Sequence, residues 1–222
     1  RSLKITSVTK ASNTGYSIDC DPTGHFTIEL KATVTNNGDV TLNPGDENYS
    51  LSVVAVKDNG ILGTTDIDQT LAPGESAEFT VSGTADYATY SGYLGYTVKE
   101  NVSNTVSTNR QWYEAVPYAP VMELRTSDGD KVATTDNFAY GMVQAATSKM
   151  FTIKSTGAAP LVVTGVTVPD GFTTDLQLPL TIAPHEMATF NLTLTAATTG
   201  VFSGNVTLSA TGLDDFSFGV SG

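Results

Sequence analysis

The sequence predicts an all-β protein made of two similar sandwiches in tandem, and three observations lead there. A phrase occurs twice: Leu71-Ala72-Pro73-Gly74-Glu75-Ser76-Ala77-Glu78-Phe79-Thr80-Val81 returns as Ile182-Ala183-Pro184-His185-Glu186-Met187-Ala188-Thr189-Phe190-Asn191-Leu192. In each copy an aliphatic residue closes one strand. Ala-Pro and a Gly or His then make a turn, because proline presets φ and cannot donate to a ladder. The second observation is strict period-two alternation. Phe26, Ile28, Leu30, Ala32 and Val34 alternate with Thr27, Glu29, Lys31, Thr33 and Thr35, which gives a strand one buried and one wet face. The third is that no window of a dozen residues carries a helical period. Short apolar segments instead recur at even spacing between Gly and Pro turns, the pattern of antiparallel sandwiches. The length of 222 residues suits two domains of about 100 each.

Taken in order, Leu3, Ile5 and Val8 predict a short first strand, and residues 11–24 are polar and turn-rich. The alternating strand follows and ends at Asn36-Asn37-Gly38-Asp39, residues that accept positive φ. Residues 49–57 form a strand with Leu51, Val53 and Ala55 on one side, and Asp58-Asn59-Gly60 is a hairpin signal. Ile61-Leu62 returns, the first Ala-Pro turn leads to Phe79 and Val81, and residues 110–116 read as the last strand of the unit. Pro117 and Pro120 stiffen a linker. The second unit runs through Val121-Met122-Glu123-Leu124, Phe138 to Val143, Met150-Phe151-Thr152-Ile153, the β-branched stretch 161–168, residues 190–194, Phe202 to Leu208 and a final strand at 216–220. The architecture expected is two tandem immunoglobulin-like β-sandwiches, 1–116 and 121–222, joined by the proline-containing linker 117–120.

Composition narrows the function. The formal charge of −12, from 23 acidic and 11 basic residues, repels polyanions and argues against nucleic acid as a partner. No apolar run approaches the ~20 residues of a membrane helix, so no membrane insertion is expected in this segment. The single Cys20 excludes an intramolecular disulfide and a Cys-based zinc site; a lone Cys in a β protein behaves as a small buried hydrophobe. No signal peptide is visible at Arg1-Ser2-Leu3, yet a chain rich in Thr, Ser, Asn and Gly with 15% charged residues has the look of an exported surface protein. Four Asn-x-Ser/Thr sequons, at Asn48, Asn101, Asn191 and Asn205, arise easily by chance in such a composition and are not taken as glycosylation sites.

The second unit resembles a Hydin-type, choice-of-anchor D immunoglobulin-like domain. The likeness rests on Tyr140-Gly141-Met142-Val143, on Phe151-Thr152-Ile153-Lys154-Ser155-Thr156-Gly157-Ala158-Ala159-Pro160-Leu161, on Ile182-Ala183-Pro184-His185-Glu186 and on Gly200-Val201-Phe202-Ser203-Gly204. It departs from that family where Ser155 stands for Asn and His185 for Gly. The first unit is similar to the CARDB domain, a cell-adhesion-related module, through Val34-Thr35-Asn36-Asn37-Gly38 and Leu71-Ala72-Pro73-Gly74-Glu75-Ser76. These resemblances imply exported bacterial proteins in which such modules act as spacers or binding units, and they imply no catalytic residue.

The sequence also lacks the common catalytic motifs. There is no Gly-x-Ser-x-Gly elbow, no His-Glu-x-x-His and no phosphate-binding Gly-rich loop. His25 and His185 are the only general bases near neutral pH. A Cys20–His25 nucleophile and base would be opposed by Asp19 and Asp21, which raise a thiol pKa. Turn aspartates at Asp19/Asp21, Asp128/Asp130 and Asp214-Asp215 offer oxygen ligands of the kind Ca²⁺ takes, but form no complete calcium loop, and such residues are ordinary turn formers. No metal or cofactor is therefore expected. The most distinctive cluster is Tyr87, Tyr90, Tyr93 and Tyr96, spaced by three where a strand has period two. Its plain role is to fill the core and cover a sheet edge. Its functional role would be a partly exposed aromatic surface for a sugar ring or a protein, extended by Trp112 and Tyr113, although Trp112 is expected in the core. The function expected is a non-catalytic adhesion or spacer module of an exported or cell-surface bacterial protein, with an unknown protein or glycan at the cell surface as partner. The alternative is a carbohydrate-binding accessory module of a glycan-degrading system. A flat row of exposed aromatics beside polar groups favours the latter.

Overall fold

The computed structural model describes residues 1–12 and 15–222; Asn13 and Thr14, inside the turn-rich stretch 11–24, lie outside the described residues. The chain divides into two units, Arg1–Pro117 and Tyr118–Gly222. Residues 118–120, expected as linker, fall in the second unit, where Ala119 O accepts a hydrogen bond from Ala159 N at 3.3 Å.

The first unit contains β1 (Leu3–Lys10), β2 (Ser17–Asp19), β3 (His25–Asn36), β4 (Ser50–Ala55), β5 (Ile61–Asp66), β6 (Ser76–Asp86), a single helical turn α1 (Tyr87–Tyr90), β7 (Gly92–Glu100), β8 (Thr105–Val106) and β9 (Gln111–Val116). One sheet has the order β1-β3-β6, the other β2-β9-β7-β4-β5 with β8 paired to β7. The alternation in β3 is realised: Phe26, Ile28, Leu30, Ala32 and Val34 are buried and face Val53, Tyr96, Val98 and Tyr113 of the other sheet in one core. β4 is buried along its whole length, where one buried side was expected. It lies between β5 and β7, and its outward Ser52 is covered by a hydrogen bond shared with Thr64 Oγ1 and one donated by Asn101 Nδ2. The Asn-Gly hairpin joins β4 to β5, with the positive φ at Asn59 and the Asp58 carboxylate accepting from Gly60 N.

The second unit contains β10 (Met122–Thr126), β11 (Asn137–Ala139), β12 (Thr147–Ser155), β13 (Leu161–Thr167), β14 (Phe172–Thr174), β15 (Leu180–Ile182), β16 (Met187–Leu194), β17 (Ser203–Ala210) and β18 (Phe216–Ser221). Its sheets are β10-β12-β16-β14 and β11-β18-β17-β13-β15. Its core is built on Phe138, Phe151, Phe190 and Phe218, whose rings meet at centroid distances of 5.2–5.7 Å, within the range aromatic pairs prefer. In both units the opening strand is divided between the sheets. Its second part pairs in parallel with the unit's last strand, β2 with β9 and β11 with β18, while among the described residues every other pairing between strands is antiparallel. Both units are immunoglobulin-like sandwiches.

The repeated phrase has one backbone conformation. Glu75 N donates to Ala72 O at 3.0 Å and Glu186 N to Ala183 O at 3.1 Å, with proline second and a positive φ third in each turn. That is a type II turn, whose third position favours glycine. Gly74 meets the demand at φ 84°, but His185 is held at φ 64°, where a β-carbon is strained. His185→Gly is expected to stabilise the second unit by about 0.5–1 kcal/mol, raising its melting temperature by a few degrees. A lower melting temperature by calorimetry would show that contacts of the imidazole outweigh the backbone strain.

Candidate functional site

The four tyrosines do not share a surface. Asp86 caps the turn that follows β6: its carboxylate accepts from Ala88 N at 2.9 Å, and the chain makes one helical turn through Tyr87–Tyr90 before re-entering a strand. Tyr87 and Tyr90 are half-buried and pack against the first core. Tyr90 donates its hydroxyl hydrogen to Asp58 Oδ2 at 3.2 Å, and burial together with that carboxylate pushes its pKa up. Tyr93 and Tyr96 both lie on β7, but their odd separation sends them to opposite faces. Tyr96 is 1% exposed, packs against Tyr113 in the core and has its pKa raised by burial to about 12. Tyr93 is 52% exposed on the outer face.

What Tyr93 meets there is Trp112, expected in the core but 41% exposed. On β9 the inward residues are Tyr113 and Ala115, so Trp112 and Glu114 point out. The same alternation buries Tyr113, considered above as an extension of the aromatic surface. Tyr93 pairs with Glu114 and Gly95 with Trp112 across β7 and β9, which makes Tyr93 and Trp112 diagonal neighbours on one face. Their rings stack at 5.6 Å with planes 22° apart. Gly95 lies beneath the indole: the six-membered ring of Trp112 is 3.4 Å from where a β-carbon on residue 95 would sit, an ordinary van der Waals contact, so the indole covers the glycine. Tyr16, 64% exposed, also meets Tyr93, with ring centroids 6.0 Å apart and planes 68° to each other. It is anchored through its backbone carbonyl, which accepts from Glu114 N, and by Lys10 Nζ, 4.3 Å above its ring. Beside these rings, Ser17 pairs with Glu114 across β2 and β9, and both are exposed. Three aromatics and a polar ledge thus lie on one face of the first sandwich.

Several other polar groups have structural work. The wholly buried Glu100 carboxylate accepts from Ser103 N, Ser103 Oγ and Thr105 N at 2.7–2.9 Å, closing the turn into β8. The Asn101 side chain is engaged within the fold: its amide donates to Ser50 and Ser52 Oγ. Asp21 Oδ1 accepts from Thr23 N, Thr23 Oγ1 and His25 N, and these bonds lower its pKa. Its stabilising contribution is accordingly present at neutral pH and lost as the carboxyl protonates on acidification. Cys20 is buried, and burial followed by Asp21, Asp19 and Asp86 raises its thiol pKa. His25 Nδ1 lies 2.8 Å from Thr23 Oγ1. Among the described residues no three His, Cys, Asp or Glu side chains are placed to share a metal ion, and no helix is long and apolar enough to cross a membrane.

The sequence matches no protein-family model and no curated protein. Among solved structures it is similar to a Porphyromonas gingivalis W83 protein of unknown function, at 15% identity over 99% of this chain and 98% of that one, TM-score 0.37. It is also similar to the Yersinia pseudotuberculosis adhesin InvE, at 13% identity over 99% of this chain and 58% of that one, TM-score 0.28. A third is the Dpr2 Ig1-Ig2 pair solved in complex with DIP-Theta Ig1-Ig3, at 13% identity over 96% and 97%, TM-score 0.27.

Proposed function

We propose that the chain is a non-catalytic adhesion module of an exported or cell-surface bacterial protein, and that its first sandwich carries the adhesive surface. The observation behind this reading is the exposed stack of Tyr93 and Trp112 flanked by Tyr16. Large aromatics left at the surface in a contiguous group mark interaction sites, because they bury much area at little conformational cost. The resemblance of the two units to CARDB and choice-of-anchor D domains supports export and a bacterial source. The absence of catalysis is supported by a buried thiol whose pKa is raised and by carboxylates consumed in turns. The charge of −12 speaks against nucleic acid as the partner.

The test is adhesion of beads coated with the full chain to a panel of animal-cell, bacterial-cell and extracellular-matrix surfaces. Binding to at least one surface is expected, and the double variant Tyr93→Ala/Trp112→Ala should lose it by roughly 30-fold or more, the scale of interface hot spots. Adhesion to none of the surfaces, or equal adhesion by the double variant, overturns the reading.

A further inference from the structure

We infer that the face formed by Trp112, Tyr93 and the Ser17–Glu114 ledge binds neutral glycans, a pyranose ring lying on the exposed side of the aromatic stack. The inference rests on the adhesive reading above and names the chemistry of the ligand. Three features converge. The first is shape. Trp112 is seated flat over Gly95 and held by Tyr93, so the platform stands ready on two adjacent strands of a sheet rather than on a loop, and binding need not order it. The second is chemistry. A pyranose carries C–H bonds with slight positive charge on its apolar face, which the negative face of an aromatic ring attracts, and hydroxyls around its rim. Glu114 and Ser17 stand one and two strands away from Tyr93 in the same cross-strand row. The strands are about 4.8 Å apart, so hydroxyls at the rim of a ring stacked on the aromatics come within reach of a carboxylate acceptor and a hydroxyl. A protein hot spot of equal area would ordinarily present an apolar side chain to a concave pocket; this face is an open stack with a polar margin.

The third feature is charge. Residues 1–117 contain 14 acidic and 7 basic side chains, and Glu114 stands at the platform itself. Lys10 Nζ, over the Tyr16 and Tyr113 rings, donates to Gly15 O; against the net acidic charge and Glu114, glycans bearing uronate, sulfate or sialate would meet a repulsive field. Neutral hexose and pentose polymers meet no such cost, and Glu114 can accept their hydroxyl hydrogens in charge-assisted bonds.

Trp112 is the only tryptophan in the chain, so its fluorescence reports on this site alone. The experiment titrates the full chain with a soluble glucan, a xylan and a mannan, with polygalacturonate and heparin as acidic counterparts. At least one neutral polysaccharide should shift the emission to shorter wavelength and protect it from acrylamide quenching, while the acidic polymers do neither. Tyr93→Ala should weaken that response at least about tenfold, and Glu114→Ala several-fold. Trp112→Ala, followed by calorimetry, should abolish binding while melting as the parent does. The inference is overturned if no neutral polysaccharide moves the emission, if the acidic polymers bind instead, or if binding survives Trp112→Ala. Beads that adhere through Tyr93 and Trp112 while every polysaccharide is silent would overturn the glycan and leave the adhesive reading standing, with a protein as the ligand. Loss of both results removes both.

Discussion

Tyr96→Ala is expected to cost the first sandwich about 3–5 kcal/mol, the range for truncating a buried aromatic, while Tyr93→Ala three residues earlier on β7 changes stability by under ~0.5 kcal/mol. The two side chains have the same chemistry and lie on the same strand, so the difference isolates burial. Tyr96 packs against Tyr113 between the sheets with its whole ring removed from water. Its removal leaves a void bounded by β-sheet, which relaxes little. Tyr93 rests on the outer face and gives up mainly its contact with Trp112 and Tyr16. Urea midpoints read by Trp112 fluorescence separate the two cases, since the only tryptophan belongs to this unit. Equal midpoints for both variants would mean that Tyr96 is not in the core. A large drop for Tyr93→Ala would mean that the aromatic face is part of the fold's stability, and would weaken the case for a ligand there.

The contrast shows where the sequence spoke clearly and where it did not. Alternation in residues 26–35 decided both the strand and its buried face, because hydrophobic and polar residues separate there without exception. The repeated Ala-Pro turn predicted two like units for a local reason: proline and a residue at positive φ define the turn with no help from tertiary contacts. The tyrosines obeyed neither rule. Their spacing of three mixes one helical turn, set by the Asp86 cap, with the start of a strand, so no single period could place them. Trp112 was legible in part. It shares parity with Glu114, and Tyr113 shares parity with Ala115, so a charged neighbour on the same face marks Trp112 as outward, against the tendency of such sandwiches to bury a tryptophan. Tyr16 had no local signal. It comes from the turn-rich stretch and reaches Tyr93 only because β2 pairs with β9 at the far end of the unit, a contact that period and turn chemistry do not encode.

The second large effect is expected at Asn36, where the two repeats diverge. Asn36 and Ser155 end the corresponding strands β3 and β12, and each donates its backbone N–H to the carbonyl of the turn glutamate, Glu75 or Glu186, at 2.9 and 3.0 Å. Both side chains are wholly buried, but their partners differ. Asn36 Nδ2 donates to Val40 O and Leu71 O, both at 2.8 Å, and its Oδ1 accepts from Gly38 N at 3.1 Å. One amide thus joins the end of β3, the loop after it and the Leu42–Leu71 bridge that leads into the Ala-Pro turn. Ser155 Oγ has no hydrogen-bond partner. Asn36→Ala deletes three hydrogen bonds, the buried one to Leu71 O and the part-buried ones to Val40 O and from Gly38 N, while Leu71 O keeps the bond from Leu42 N; at about 0.5–1.5 kcal/mol net for each bond, the loss should be roughly 2–4 kcal/mol. Asn36→Asp keeps the shape but turns a donor into a charged acceptor facing two carbonyls. It should be worse than alanine at neutral pH and recover as the pH falls, because burial raises the pKa of the new carboxyl and only its protonated form can donate. Ser155→Ala removes a buried hydroxyl that gains nothing from the fold, and should leave the second unit unchanged or more stable by about 1 kcal/mol. Urea unfolding of the four proteins decides the matter: Trp112 emission follows the Asn36 variants, and circular dichroism follows Ser155→Ala. An Asn36→Ala midpoint within error of the parent, or an Asn36→Asp variant no more stable at about pH 4 than at neutral pH, would show that water supplies the missing partners and that the amide is not what joins these segments.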